Sequence, residues 1–213
     1  MVSWCEPPGS WGSRWGTIDD GRFLSLSWVP LAAALLSLVL SISGIIVATR
    51  EPHVLVIVPD QIRVVQGVDV GFAYVYLQPA FVSTGQNDRV EVIKNMVLRM
   101  ARAEGGPPAE FRWDEQAQLV YDQATKQLNY VYVADAVPLL VSPKNAQVPF
   151  SVFNGPPGWY FQPGTYRATL VAFRVVASSP LEASFRFTLS ADNVDFLNRS
   201  RGKSFLAFPI THQ

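Results

Sequence analysis

The most constraining feature of the sequence is a run of twenty-seven residues without a charge, from Phe23 to Thr49. Most of these residues are apolar, and small residues are interspersed among them. A bilayer core about 30 Å thick is crossed by a helix of roughly 20 apolar residues. The run therefore predicts one transmembrane helix over residues 23–49, with Trp28 near one end at headgroup level. We expect an uncleaved anchor, because a signal peptide has an apolar centre of only about 7–15 residues.

This helix divides the chain into three predicted parts. Residues 1–22 contain two prolines and four glycines, which oppose a regular helix and predict an irregular tail. Residues 50–213 are numerous enough for one domain with its own hydrophobic core. Two arginines precede the span and two follow it closely, so the positive-inside count is tied. The free N-terminal amine favours a cytoplasmic tail and a C-terminal domain outside the cell membrane, and the opposite orientation stays open.

Charge and cysteine content argue against several classes of function. Seventeen basic residues balance seventeen acidic ones, and after Thr49 the two signs are mixed along the chain. A nucleic-acid-binding protein would carry a clustered basic face, so we expect no nucleic-acid partner. The only cysteine, Cys5, lies outside the predicted domain, so neither an intramolecular disulfide nor a thiolate metal site can form.

From His53 onward the apolar residues alternate with polar ones, and turn residues interrupt them at short intervals. The alternation is clearest where Phe185, Phe187 and Leu189 face one side while Arg186 faces the other. Such a pattern predicts an all-β domain whose strands have one dry face. The predicted strands cover residues 53–58, 62–66, 70–77, 90–102, 110–113, 118–121, 128–133, 138–141, 148–153, 165–176 and 183–189.

Two segments allow a helical interpretation. Residues 90–102 also fit helical spacing, and the surrounding β pattern favours a strand. Residues 189–203 predict a short helix that begins at Ser190 or Asp192, presents Val194 and Leu197 on one side, and ends by Gly202. The chain then returns as a terminal strand, in which Pro209 suits a sheet edge.

About ten short strands without helical crossovers favour a sandwich over a parallel sheet. The residues from Pro163 to Tyr166, with the two strands after them, resemble the tyrosine corner of immunoglobulin-like and fibronectin type III domains. This resemblance implies an immunoglobulin-like antiparallel β-sandwich in which the Tyr166 hydroxyl binds the backbone. It is a resemblance of fold, without a specific family. The paired cysteines of antibody domains are missing, and Trp113 is a candidate core tryptophan. A plain turn entering a strand is the alternative for Tyr166.

Catalytic and metal-binding patterns are not evident in the sequence. The two histidines, His53 and His212, lie at the fringes of the predicted domain, and no nucleophile, phosphate-loop or zinc motif occurs. The carboxylate pairs Asp114–Glu115 and Asp192–Asp195 lack the spacing of a calcium loop, and we interpret them as exposed turn and helix-start residues. We therefore expect no enzyme, no cofactor and no metal site.

The most suggestive surface feature is the stretch 155–164, in which Trp159, Tyr160 and Phe161 are held between prolines and glycines. Tryptophan and tyrosine are common interface anchors, so these three residues are a candidate partner-binding loop. Packing of the same rings into the core is the alternative. The sequence favours a non-enzymatic, membrane-anchored interaction or structural module that contacts an unknown protein through this loop or through strand edges. A ligand- or carbohydrate-binding sensor is the second hypothesis.

Overall fold

A computed structural model describes residues 28–49, 53–68, 71–84, 89–124, 126–175 and 177–212. The chain separates into two compact units, Met1–Arg50 and Glu51–Gln213. The predicted tail over residues 1–22 and the first five residues of the predicted span lie outside the described part of the chain.

The first unit contains one described helix, α1 (Trp28–Thr49), which is 22 residues long. At a rise of about 1.5 Å per residue it measures about 33 Å, enough to cross a bilayer. The hydroxyls of three serines in its middle donate to backbone carbonyls one turn earlier: Ser37, Ser41 and Ser43. These polar groups are therefore satisfied inside the helix, as an apolar surrounding requires. A signal sequence near the N-terminus would share this length and composition.

The second unit consists mainly of β-strands, with one short helix near its end. In chain order its described elements are β1 (Val54–Ile57), β2 (Gln61–Gln66), β3 (Ala73–Leu77), β4 (Ala80–Ser83), β5 (Glu91–Arg102), β6 (Ala109–Asp122), β7 (Gln127–Asp135), β8 (Leu139–Val141), β9 (Ser151–Asn154), β10 (Gly164–Arg174), β11 (Leu181–Leu189), α2 (Ala191–Arg199), β12 (Leu206–Pro209) and β13 (Thr211–His212).

Eleven of these strands form one antiparallel sheet, in the order β12-β2-β3-β9-β6-β5-β10-β11-β13, with β7 added to β6 and β8 added to β5. The two remaining strands, β1 and β4, pair with each other. The C-terminal segment bridges the two ends of the large sheet, because β12 pairs with β2 and, one residue later, β13 pairs with β11. The sheet is therefore nearly closed into a barrel.

The predicted antiparallel β domain is confirmed, whereas the immunoglobulin-like sandwich is not. A sandwich keeps its strands in two separate sheets that pack face to face. Here a single sheet curves around the core, and the C-terminal segment joins its ends. The number and alternation of the strands are correct for both architectures, so the sequence pattern could not distinguish between them.

The individual predictions differ from the structure mainly at irregular positions. All but the first residue of the segment 90–102 form β5, so the helical alternative does not hold. The two predicted strands 110–113 and 118–121 form one continuous strand, β6. Strand β4 was not predicted, because it has only four residues and directly follows Pro79. The short helix is confirmed as α2, which Ser190 caps by accepting from the Asn193 backbone at 3.2 Å.

The interior of the sheet contains the main hydrophobic core. Its largest fully buried side chains include phenylalanines from four strands: Phe81, Phe111, Phe153 and Phe185. Trp113 also belongs to this core, as predicted, and is buried. A buried ion pair links the start of β5 to the end of β10, with Glu91 Oε2 2.7 Å from Arg174 Nη2.

Candidate functional site

The loop after β9, the candidate partner-binding loop, packs two of its three aromatic rings inward. Phe161 is only 2% exposed and belongs to the main core, and Trp159 is half-buried against the same core. The indole ring of Trp159 meets Phe111 edge-on at 4.9 Å between centroids and Phe161 at 4.8 Å. Tyr160 is partly exposed, and the Arg201 guanidinium lies 5.6 Å above its ring. The three aromatic residues therefore do not share one exposed surface.

The backbone of this loop is fixed by the buried side chain of Gln66. Its Nε2 donates to the Phe72 carbonyl at 2.6 Å, and its Oε1 accepts from the Phe161 amide at 3.4 Å. Next to it, the Gly158 amide donates to the Gly71 carbonyl at 2.8 Å. Gly71 has a φ of 93°, and a Cβ there would lie 2.8 Å from the Gly158 backbone. Only glycine allows this approach, so the loop is bound to the β2–β3 connection.

Tyr166 makes the backbone contacts that a tyrosine corner requires. Its hydroxyl donates to the Gln162 carbonyl at 2.9 Å and accepts from the Gln162 amide at 2.8 Å. Its ring stacks on Phe187 at 5.0 Å, and burial raises the pKa of the hydroxyl. Tyr166 thereby fastens the end of the aromatic loop to β10.

An open cleft of about 540 Å³ lies beside this loop, between residues 108–114 and 154–157. Arg112, Asp114 and Asn154 supply polar groups to its wall, and Asn154 Nδ2 donates to Asp114 Oδ2 at 2.7 Å. The neighbouring carboxylate, Glu115, instead accepts a hydrogen bond from the Tyr130 hydroxyl. Within the described ranges, no group of three His, Cys, Asp or Glu side chains is arranged to hold a metal ion.

A second aromatic group lies on the opposite, outer face of the sheet, and the sequence analysis did not identify it as a surface. It contains residues from β3, β6, β7, β9 and the segment just before β9: Tyr74, Tyr76, Ala117, Leu119, Tyr130, Phe150 and Val152. Tyr76 meets Tyr130 edge-on at 5.1 Å between centroids. The Arg63 guanidinium lies 5.8 Å from the Phe150 ring, so a cation also contacts this cluster.

A bulge in β6 explains how apolar residues reach the outer face. Trp113 pairs with Phe153, but Glu115 pairs with the adjacent residue Val152, so Asp114 is an extra residue in the strand. Phe153 belongs to the inner core and Val152 to the outer cluster. The odd-numbered residues of β6 therefore point inward before Asp114 and outward after it.

The outer cluster continues onto an exposed hairpin formed by β6 and β7. Its register places Ala117 opposite Tyr132, Leu119 opposite Tyr130 and Tyr121 opposite Leu128, so these six residues share one face. Three of the six are largely exposed: Leu128 is 47%, Tyr132 52% and Tyr121 56% exposed. We call this set of six residues the hairpin face.

Burial and a nearby carboxylate favour the neutral form of two tyrosines, Tyr76 beside the hairpin face and Tyr130 within it. Burial, with the nearby Glu115 carboxylate, raises the pKa of Tyr76 to about 12. The pKa of Tyr130 is raised by the same causes, and its hydrogen bond to Glu115 adds to them. Both hydroxyls therefore remain protonated at neutral pH.

Comparisons with known proteins do not assign this geometry to a family. A scan against protein-family models, a search of curated proteins and a search of solved structures each find no match to this chain.

The sequence signal for the hairpin face was present in the alternation of residues 117–121 and 128–132. It indicated strands, but a face can be assigned only when the bulge at Asp114 is known.

Proposed function

We propose that this protein is a non-enzymatic interaction module that α1 anchors in the cell membrane and that binds another polypeptide through the hairpin face. The hairpin face carries the proposal, because tyrosine and leucine side chains there are exposed next to a packed aromatic cluster. Contiguous apolar patches on soluble surfaces commonly mark interaction sites, and tyrosine is enriched in protein interfaces.

The anchoring part of the proposal rests on the length of α1 and on its internally bonded serines. A helix with these properties is stable in hydrocarbon, because none of the described serine hydroxyls needs water. We propose the orientation that the sequence favoured, with the β domain on the outer side of the membrane. Alkaline carbonate extraction tests the anchor: the chain should remain in the membrane pellet, and release into the supernatant would contradict anchoring.

A matched pair of photo-crosslinking positions tests the interaction role. Tyr132 on the hairpin face and Tyr160 in the aromatic loop are each replaced by benzoyl-phenylalanine in the full chain, which is irradiated in intact membranes. Both replacements conserve an aromatic ring at a surface tyrosine, so they differ only in location. We expect a discrete adduct of higher mass from position 132 and none from position 160. Adducts from position 160 alone would assign the interface to the loop.

The cleft beside the aromatic loop supports a second candidate function, the binding of a small polar ligand. Its volume of about 540 Å³ and the convergence of Arg112, Asp114 and Asn154 suit a ligand pocket. A carbohydrate platform of exposed rings is not formed there, because Trp159 packs edge-on against the core. Screening sugars and small anions by thermal shift, with Arg112→Gln as the control, tests this role. A shift that survives Arg112→Gln would place binding elsewhere.

A further inference from the structure

The outer edge of β7 is an unusual strand edge. β7 pairs only with β6, so its other side has no strand partner within the described ranges. Exposed edges are normally protected by charged residues, prolines or bulges, since they otherwise recruit another strand. The eight residues from Gln127 to Ala134 contain neither a charge nor a proline. One bulge is present at Val133, because Tyr132 pairs with Ala117 and Ala134 with Gln116.

We propose that β7 pairs antiparallel with β7 of a second copy of this chain, around a twofold axis at Tyr130. This inference rests on the proposed interaction role of the hairpin and names its partner. A twofold axis perpendicular to a sheet generates antiparallel neighbours and keeps each side chain on its own face. The two hairpins would then form one four-stranded sheet, and the two hairpin faces would be continuous.

Charge complementarity selects the register of this pairing. With Val133 omitted as the bulged residue, an axis at Tyr130 places Leu128 opposite Tyr132 of the partner subunit. Lys126 is the turn residue directly before β7 and has a φ of 54°, and the same register brings its side chain next to Asp135 of the partner subunit. Symmetry forms this pair twice. Lys126 and Asp135 are both exposed and flank the uncharged stretch. Opposite charges across strands stabilise a pairing, and apolar pairs such as leucine with tyrosine do so as well.

The neighbouring registers lack this match. An axis at Asn129 would place Lys126 opposite Tyr132 of the partner subunit. An axis at Val131 would place Leu128 opposite Asp135 of the partner subunit. Each of these registers sets a charge against an apolar or aromatic side chain, so the axis at Tyr130 is the one that pairs both charges.

Site-directed disulfide formation in the full chain tests the register. Cys5→Ser removes the native thiol, and Tyr130→Cys places one thiol of each copy at the axis, where Cα atoms about 5 Å apart suit a disulfide. Leu128→Cys is the matched control, since its two copies would be about 13 Å apart along the strands. In detergent, oxidation should crosslink the Tyr130→Cys chain and leave the Leu128→Cys chain monomeric. Equal crosslinking of both variants would overturn the proposed register.

A charge exchange provides a test that leaves Tyr130 intact. Lys126→Asp and Asp135→Lys should each raise the dimer dissociation constant about tenfold, because each sets like charges opposite one another at two symmetric positions. The double variant should restore a dissociation constant within about threefold of the wild type. Sedimentation in detergent measures all four proteins. A monomeric wild type, or a double variant as weak as the single variants, would overturn the dimer.

These tests separate the dimer from the broader interaction role. A monomeric chain that still forms adducts with another protein from position 132 would overturn the dimer and leave the proposed function in place. Adducts from position 132 that contain only this chain, together with the Tyr130→Cys crosslink, would support the dimer as the hairpin's interaction.

Discussion

The aromatic loop and the hairpin face contain similar residues in opposite environments. In the loop, Trp159 and Phe161 turn into the main core, and Tyr166 holds the loop end through two hydrogen bonds to Gln162. On the hairpin, Tyr121 and Tyr132 remain more than half exposed. Aromatic content alone therefore does not identify an interface. The position of a strand bulge and the number of neighbours around each ring decide whether that ring stabilises the fold or is free to bind.

The largest expected effect is a loss of stability when an inward-packed ring of the aromatic loop is removed. Phe161→Ala should lower the free energy of unfolding by about 3–5 kcal/mol, because it removes a fully packed ring and leaves a cavity. Tyr160→Ala, the neighbouring partly exposed position, is the control and should cost about 1 kcal/mol or less. Urea unfolding of the full chain in mild detergent, followed by tryptophan fluorescence, measures both. Equal losses would show that the loop does not plug the core.

A smaller loss is expected when only the hydroxyl of Tyr166 is removed. Tyr166→Phe should cost about 1–2 kcal/mol, because the amide and carbonyl of Gln162 each lose a partly buried hydrogen bond to the Tyr166 hydroxyl. Tyr132→Phe also removes one hydroxyl, which bonds Asp135 at the surface, and should cost less than about 0.5 kcal/mol. The same unfolding titration compares them. A Tyr166→Phe chain as stable as the wild type would show that the Tyr166 hydroxyl does not stabilise the loop end.

The raised pKa of Tyr76, which lies beside the hairpin face, predicts how stability depends on pH. Its pKa is raised to about 12 in the folded chain and is about 10 when unfolded. The stability that neutral Tyr76 contributes is complete below pH 10 and is lost as the pH rises from 10 to 12. Tyr76→Phe should therefore show a shallower decline of melting temperature over this range. Identical declines in the two proteins would mean that Tyr76 is not protected from ionisation.

The sequence predicted those features that depend on local pattern. The apolar span, the alternation of Phe185, Phe187 and Leu189, and the capped helix after Ser190 all follow from periodicity and short-range hydrogen bonding. Sheet closure by the C-terminal segment could not be predicted, because it depends on pairings between residues far apart in the chain. The buried ion pair between Glu91 and Arg174 could not be predicted either, because the two residues are 83 positions apart in the chain. In the sequence both resemble ordinary surface charges.

The candidate site was harder to predict than the fold. The sequence indicated that residues 118–121 and 128–133 are strands, but a single extra residue at Asp114 decides which face they present. Prolines and glycines made the loop 155–164 look exposed. Its inward packing depends on Gln66, which is 95 residues away from Phe161 in the chain. The sequence therefore drew attention to the loop, and the hairpin face could be recognised only in the structure.

One comparison of two double variants tests the central claim most directly. Tyr121→Thr with Tyr132→Thr preserves strand propensity on the hairpin while removing both exposed rings. Trp159→Ala with Phe161→Ala removes the two inward rings of the loop. Melting temperature and photo-crosslinking are measured on both full chains, with the crosslinker at the exposed hairpin residue Leu128. We predict that the hairpin variant melts like the wild type and loses its adducts, while the loop variant melts much earlier. A hairpin variant with unchanged adducts, or a loop variant with an unchanged melting temperature, would contradict the account.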